Sequence, residues 1–87
     1  MFKTTNGTGF QIQFPNEWTV SVQWGRGTCS DNHDKWPMDV APLTSKTAEI
    51  AAWDKDGNWY QFNEYEQVKG RCSPDEVTDF INIISSK

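Results

Sequence analysis

Residues 18–24 constrain the fold more than any other stretch: in Trp18-Thr19-Val20-Ser21-Val22-Gln23-Trp24 every even position is large and apolar and every odd position is polar. A period of two belongs to a strand with one face in a core and the other in water, and a helix could not collect those apolar residues on one side. Trp18, Val20, Val22 and Trp24 are therefore expected to line a core, while Thr19, Ser21 and Gln23 look outward to water or to a partner. Strands of this half-buried kind sit in antiparallel sheets, and the flanking sequence supplies the neighbours. Phe10-Gln11-Ile12-Gln13-Phe14 repeats the alternation, Asn6-Gly7 is a hairpin signal separating it from Phe2-Lys3-Thr4-Thr5, and Pro15-Asn16-Glu17 turns the chain toward Trp18.

Further on, Thr47 to Trp53, the turn Asp54-Lys55-Asp56-Gly57 and the run Asn58-Trp59-Tyr60-Gln61-Phe62 read as a second hairpin. Gly57 is placed to take the left-handed conformation of a type I turn with a bulge. Gln67-Val68-Lys69 reads as a short edge strand. The chain then changes period. Ser73 is an N-cap, Pro74 takes the first helical position, and Asp75 and Glu76 fill the first turn. Ser73 and Glu76 have capping-box spacing, and Val77, Phe80, Ile81 and Ile84 make one apolar stripe, which predicts a helix over 74–85. The expected fold class is α+β: an antiparallel sheet of four to five strands, built from hairpins, packed against one C-terminal helix, with 1–87 as a single domain.

Only 36% of the residues are apolar, and five Trp and five Phe are among them, so aromatic side chains must carry much of the core. A chain this short buries a modest share of its surface and gains from association, which makes a homodimer one expected arrangement. The net charge of −4 with scattered cations argues against duplex nucleic acid as a partner, but one or two placed cations can still hold a small anion. Met1-Phe2-Lys3 runs straight into polar residues, and no apolar stretch approaches the ~20 residues of a membrane span. The expectation is a cytoplasmic protein with no membrane partner, in which Cys29 and Cys72 stay reduced.

From Gly25 to Lys46 the periodicity vanishes. A connection of that length in a small domain is commonly functional. Gly25-Arg26-Gly27-Thr28 offers close backbone approach and a guanidinium for an anion, against the plainer reading of a flexible strand exit. Trp36 in the same loop, with Trp59 and Tyr60 of the second hairpin, completes the expected ligand-binding set, because alternation cannot bury both Trp59 and Tyr60 on one face. Cys29, Asp31, His33, Asp34 and Cys72 include zinc-ligand types but lack paired spacing, so no metal and no cofactor are expected. Asp54-Lys55-Asp56-Gly57 lacks the distal glutamate of a calcium loop. No nucleophile with an adjacent base is apparent, and the chain reads as a binding protein without catalytic residues.

Taken together, Asn6-Gly7-Thr8-Gly9-Phe10, Trp18 through Gly25, Ala48 through Trp53, and Gly70 followed by Ser73-Pro74-Asp75-Glu76-Val77 resemble a family of small proteins encoded by tailed bacteriophages. The resemblance covers most of the chain and carries no catalytic residues onto it. It implies a counter-defence role: sequestering a nucleotide-derived immune signal, in the manner of phage proteins that defeat Thoeris and cyclic-oligonucleotide systems. The alternative it leaves open is a protein-binding inhibitor of a host defence complex, similar to anti-CRISPR proteins that use an acidic surface as a nucleic-acid mimic.

Overall fold

The computed structural model describes residues 1–5, 8–24 and 44–87. Five strands, β1 (Phe2–Thr4), β2 (Gly9–Gln13), β3 (Thr19–Gln23), β4 (Ala48–Trp53) and β5 (Lys69–Cys72), precede one helix, α1 (Pro74–Ser85). The strands form an antiparallel sheet in the order β1-β2-β3-β4-β5, and α1 lies against β3, β4 and β5. This is the α+β architecture that the alternation and the capped terminal helix predict.

Register turns the period of two into two distinct faces. Ile12 pairs with Val20 and Val20 with Ala52, while Phe10 pairs with Val22 and Val22 with Ile50. The even positions thus share the face under the helix, where Val20, Val22, Ile50 and Ala52 are buried with Cys72, Phe80 and Ile84. Trp18 and Trp24 are half-buried at the margins of that core. The odd positions Lys3, Gln11, Ser21 and Ala51 pair across the outer face. Ser21 lies on the outer face as expected but is itself buried, because it sits mid-sheet with a strand on either side.

The capping box forms: Glu76 N–H donates to Ser73 Oγ at 3.2 Å and Ser73 N–H to Glu76 Oε1 at 3.1 Å. The Ser73 backbone N–H, with the Ser73 side chain and Lys69 adding to it, holds the Glu76 carboxyl below the usual range. The C-terminal end of α1 is tied down from far away in sequence. Asn16 Nδ2 donates to the carbonyls of Ile84 (2.9 Å), Ser85 (3.5 Å) and Lys87 (3.2 Å), while its Oδ1 accepts the Trp18 N–H at 3.0 Å. Asn16→Ala should lower stability by about 1–2 kcal/mol in urea unfolding. Asn16→Asp should cost more, because it sets a carboxylate against carbonyl oxygens at the negative end of the helix.

Two three-residue turns share one design. In Pro15-Asn16-Glu17, Glu17 N–H reaches Phe14 O at 2.9 Å and Phe14 N–H reaches Trp18 O at 2.9 Å; in Lys55-Asp56-Gly57, Gly57 N–H reaches Asp54 O at 3.1 Å and Asp54 N–H reaches Asn58 O at 2.9 Å. The last turn residue is left-handed in both, Glu17 at φ 69° and Gly57 at φ 82°. Asp54 adds its carboxylate, which accepts the Asn58 and Asp56 N–H groups and is held below its ordinary range chiefly by the first.

The second hairpin does not extend as the sequence predicts. Its turn forms, Trp59 makes an isolated bridge to Trp53 and Tyr60 N–H reaches Ala52 O at 2.8 Å, but residues 58–62 are not a strand. Tyr60 and Phe62 pack their rings on Phe80, with centroids 5.3 and 5.0 Å away. Asn63 then folds the chain back, its Oδ1 accepting the N–H groups of Tyr65 and Glu66. The place beside β4 goes instead to β5, the edge strand expected around 67–69, displaced to Lys69–Cys72 and carrying a bulge in which Arg71 takes φ 54°.

Candidate functional site

The helix does not fill all the space over the sheet. Phe80 and Ile84 are buried, but Val77 and Ile81, on the same stripe nearer β2, are only half-buried. Between them and the strands lies a cavity of about 470 Å³. Phe10 and Val22, paired across β2 and β3, form its floor with Ala48 and Cys72, which pair across β4 and β5. Trp24, just past β3, supplies an aromatic wall, and Thr44 to Thr47, leading into β4, form a hydroxyl-rich rim with Thr78. The volume lies within the ~300–1,000 Å³ of small-molecule sites, and apolar walls with a few polar groups are their usual lining.

Lys46 is the single charged side chain among the described lining residues, and it is exposed. The Cys72 thiol is buried, interacts with the carbonyls of Lys69 and Gly70 at 3.7 Å each, and is pushed above its ordinary pKa by burial, with Glu76 adding to the effect. It is therefore a neutral thiol and a poor nucleophile. Among the described residues the buried Trp24 indole N–H has no acceptor. Ser45 Oγ accepts the Thr47 N–H and donates to the Thr47 carbonyl, and Thr78 Oγ1 donates to the Pro74 carbonyl, so these hydroxyls are fixed in place. Among the described residues, the set offers aromatic surface, positive charge and oriented hydroxyls, and no base paired with a nucleophile.

Of the residues singled out from the sequence, Gly25, Arg26, Gly27, Thr28 and Trp36 lie outside the described residues, as do Cys29, Asp31, His33, Asp34 and the Asn6-Gly7 turn. Trp59 and Tyr60 are parted as alternation requires. Trp59 stacks on Trp53 at the outer face, with ring centroids 5.1 Å apart, whereas Tyr60 packs edge-on against Phe62 and Phe80. Neither lines the cavity. Lys46 and the half-buried flank of α1 were not singled out, although Val77 and Ile81 in the helical stripe carried part of that signal. Cys72 is a free thiol, and the described residues contain no group of three or more His, Cys, Asp or Glu side chains arranged to hold a metal. No helix among them is long and apolar enough to cross a membrane. Comparison with protein-family models, with curated proteins and with solved structures returns no match, so the functional argument rests on the geometry of this chain.

Proposed function

We propose that the chain is a non-catalytic binding protein that sequesters a small nucleotide-derived anion in the cavity beside the first half of α1, in the phage counter-defence role that the sequence resemblance implies. One observation carries the reading: in a chain of net charge −4, the described residues that line this cavity include one charged side chain, Lys46, and no carboxylate. Phe10 and Trp24 offer aromatic surface to a base, and Lys46 offers a cation to a phosphate.

The test is to express the protein in cells with an active nucleotide-signalling defence, purify it, denature it and chromatograph the supernatant. A released nucleotide is expected, in amounts reduced severalfold in Lys46→Ala and abolished in Val77→Phe, which fills the cavity. Purification of an empty protein from those cells would sink the proposal. A protein-binding inhibitor of a host defence complex is the second reading. It is favoured by Met1 and Phe2, which stand 79% and 81% exposed at the free edge of the sheet. Under that reading Phe2→Ser abolishes activity and the two cavity variants do not.

A further inference from the structure

The outer face of the sheet carries a second concavity, on the side away from the helix. Gln13 pairs with Thr19 and Thr19 with Trp53. Gln13 also exchanges hydrogen bonds with Met1, its N–H reaching Met1 O at 2.7 Å and its carbonyl accepting from the Met1 ammonium at 2.7 Å. Lys3 and Gln11 pair in the next row. Together these residues line a trough of about 200 Å³, with Met1, Lys3, Gln11, Gln13, Thr19 and Trp53 in its walls. Trp59 stacks on Trp53 with ring centroids 5.1 Å apart, so the Trp53 indole is an end wall and not a free platform. Ser21, across from Gln11, is engaged by Gln23 Nε2 at 3.1 Å. Among the described residues, by contrast, no hydrogen bond or ion pair engages the side chains of Lys3, Gln11, Gln13 or Thr19. Gln11, Gln13 and Thr19 are half-buried, so part of their hydration is already gone.

From this geometry we infer that the trough is a binding site for a small oxyanion, the phosphate or carboxylate group of a small ligand, seated among Lys3, Gln11, Gln13 and Thr19. Charge selects the class. Two cationic groups, Lys3 and the Met1 ammonium, line the trough and no carboxylate does, although acids outnumber bases in the whole chain by 12 to 8. Neither charge is neutralised within the described residues: Lys3 has no ion pair, and the Met1 ammonium meets only a carbonyl. Glu17, in the turn that leads to Thr19, is held by Lys55 at 3.7 Å. A cationic ligand would meet repulsion with nothing to offset it, and a neutral one would leave both ammonium groups without a counter-charge. The donors agree with the charges. Each glutamine amide can turn its NH₂ toward the ligand and Thr19 adds a hydroxyl, and a hydrogen bond to an ionised acceptor is roughly twice as strong as one between neutral groups. Size sets the upper limit. The net charge of −4 repels an extended polyanion, and a trough of about 200 Å³ takes a single anionic group, not a strand.

The full chain is titrated separately with inorganic phosphate, acetate, glucose and tetramethylammonium at constant ionic strength, followed by amide NMR shifts. Phosphate, acetate or both should saturate the protein at about 10 mM or below, shifting Lys3, Gln11, Gln13 and Thr19, and the tighter of the two names the group. Lys3→Gln should weaken binding about fivefold or more, and Gln13→Ala should weaken it in the same direction. Lys46→Ala should leave it unchanged, separating this site from the cavity beside α1. Lys3 and Gln13 both lie outside the core, so two variants read the site, each checked for folding by circular dichroism. Shifts that rise without saturation, affinity that survives Lys3→Gln in the folded protein, or an equal response to glucose or tetramethylammonium would each overturn the assignment. Phosphate shifts confined to the cavity around Lys46 would overturn it too, while leaving the reading of that cavity in place.

Discussion

Gly9→Ala is expected to destabilise the domain by at least about 3 kcal/mol, read as a fall in the urea midpoint by circular dichroism. Gly9 opens β2 opposite Gln23 with φ +155°, and a Cβ there would stand 2.0 Å from Val22 O and 2.9 Å from Gln23 Cα. Both are backbone atoms of the central strand, so no side-chain rotation relieves the clash; β2 and β3 must separate at the end where Phe10 meets Val22. Gly57 is the control. It is also left-handed, at φ +82°, but a Cβ there meets nothing within 4 Å, so Gly57→Ala should cost only the ~1–2 kcal/mol of the backbone conformation. A Gly9 variant no worse than the Gly57 variant would mean that the approach of β2 to β3 is looser than described.

Phe80→Ala should cost about 3–5 kcal/mol, a large fraction of the ~5–15 kcal/mol that holds a typical domain together. Phe80 is 4% exposed and is the ring on which both Tyr60 and Phe62 rest. Its removal opens a void under α1 and leaves the segment after the second turn without its anchor. Thermal unfolding measures the first effect, and faster exchange of the Tyr60 and Phe62 amides, which donate to Ala52 O and Glu66 O, reports the second. Phe80→Leu, which keeps much of the volume, should retain most of the protection. Equal loss in the two variants would point to a ring-specific contact, not to packing volume.

Where the sequence speaks through local chemistry, it can be read residue by residue. The alternation at Trp18–Trp24, the Ser73-Pro74-Asp75-Glu76 start and the Gly57 bulge each depend on neighbours within a few positions, and each appears in the structure. Asn58 to Phe62 misleads because its β-forming composition competes with a tertiary contact: Tyr60 and Phe62 gain more by closing on Phe80 than by lengthening a hairpin. The Asn16 clamp is equally hidden, since its three acceptors lie 68 to 71 positions away. The cavity escapes for the same reason. Its volume depends on how far Val77 and Ile81 stand from Phe10 and Val22 once two layers meet, and no periodicity encodes a separation between layers. Trp59 and Tyr60 were legible as a pair that must part, but not as one residue for a surface and one for a core.

The meander order of the sheet has a kinetic meaning. Consecutive strands are spatial neighbours throughout, so the β1–β2 and β2–β3 pairings close short loops, and the β2–β3 turn brings its strands together at little entropic cost. The connections from Gln23 to Ala48 and from Trp53 to Lys69 are longer, the first the longest. Joining β3 to β4 closes the longest loop of the sheet, and the same pairing creates part of the surface for α1, which rests on β3, β4 and β5 together. The surface on which the helix rests exists only where β3, β4 and β5 are paired. Burial of Phe80 and Ile84 thus depends on the distant halves of the chain having met, and the Asn16 side chain ties the β2–β3 turn to the last turn of the same helix.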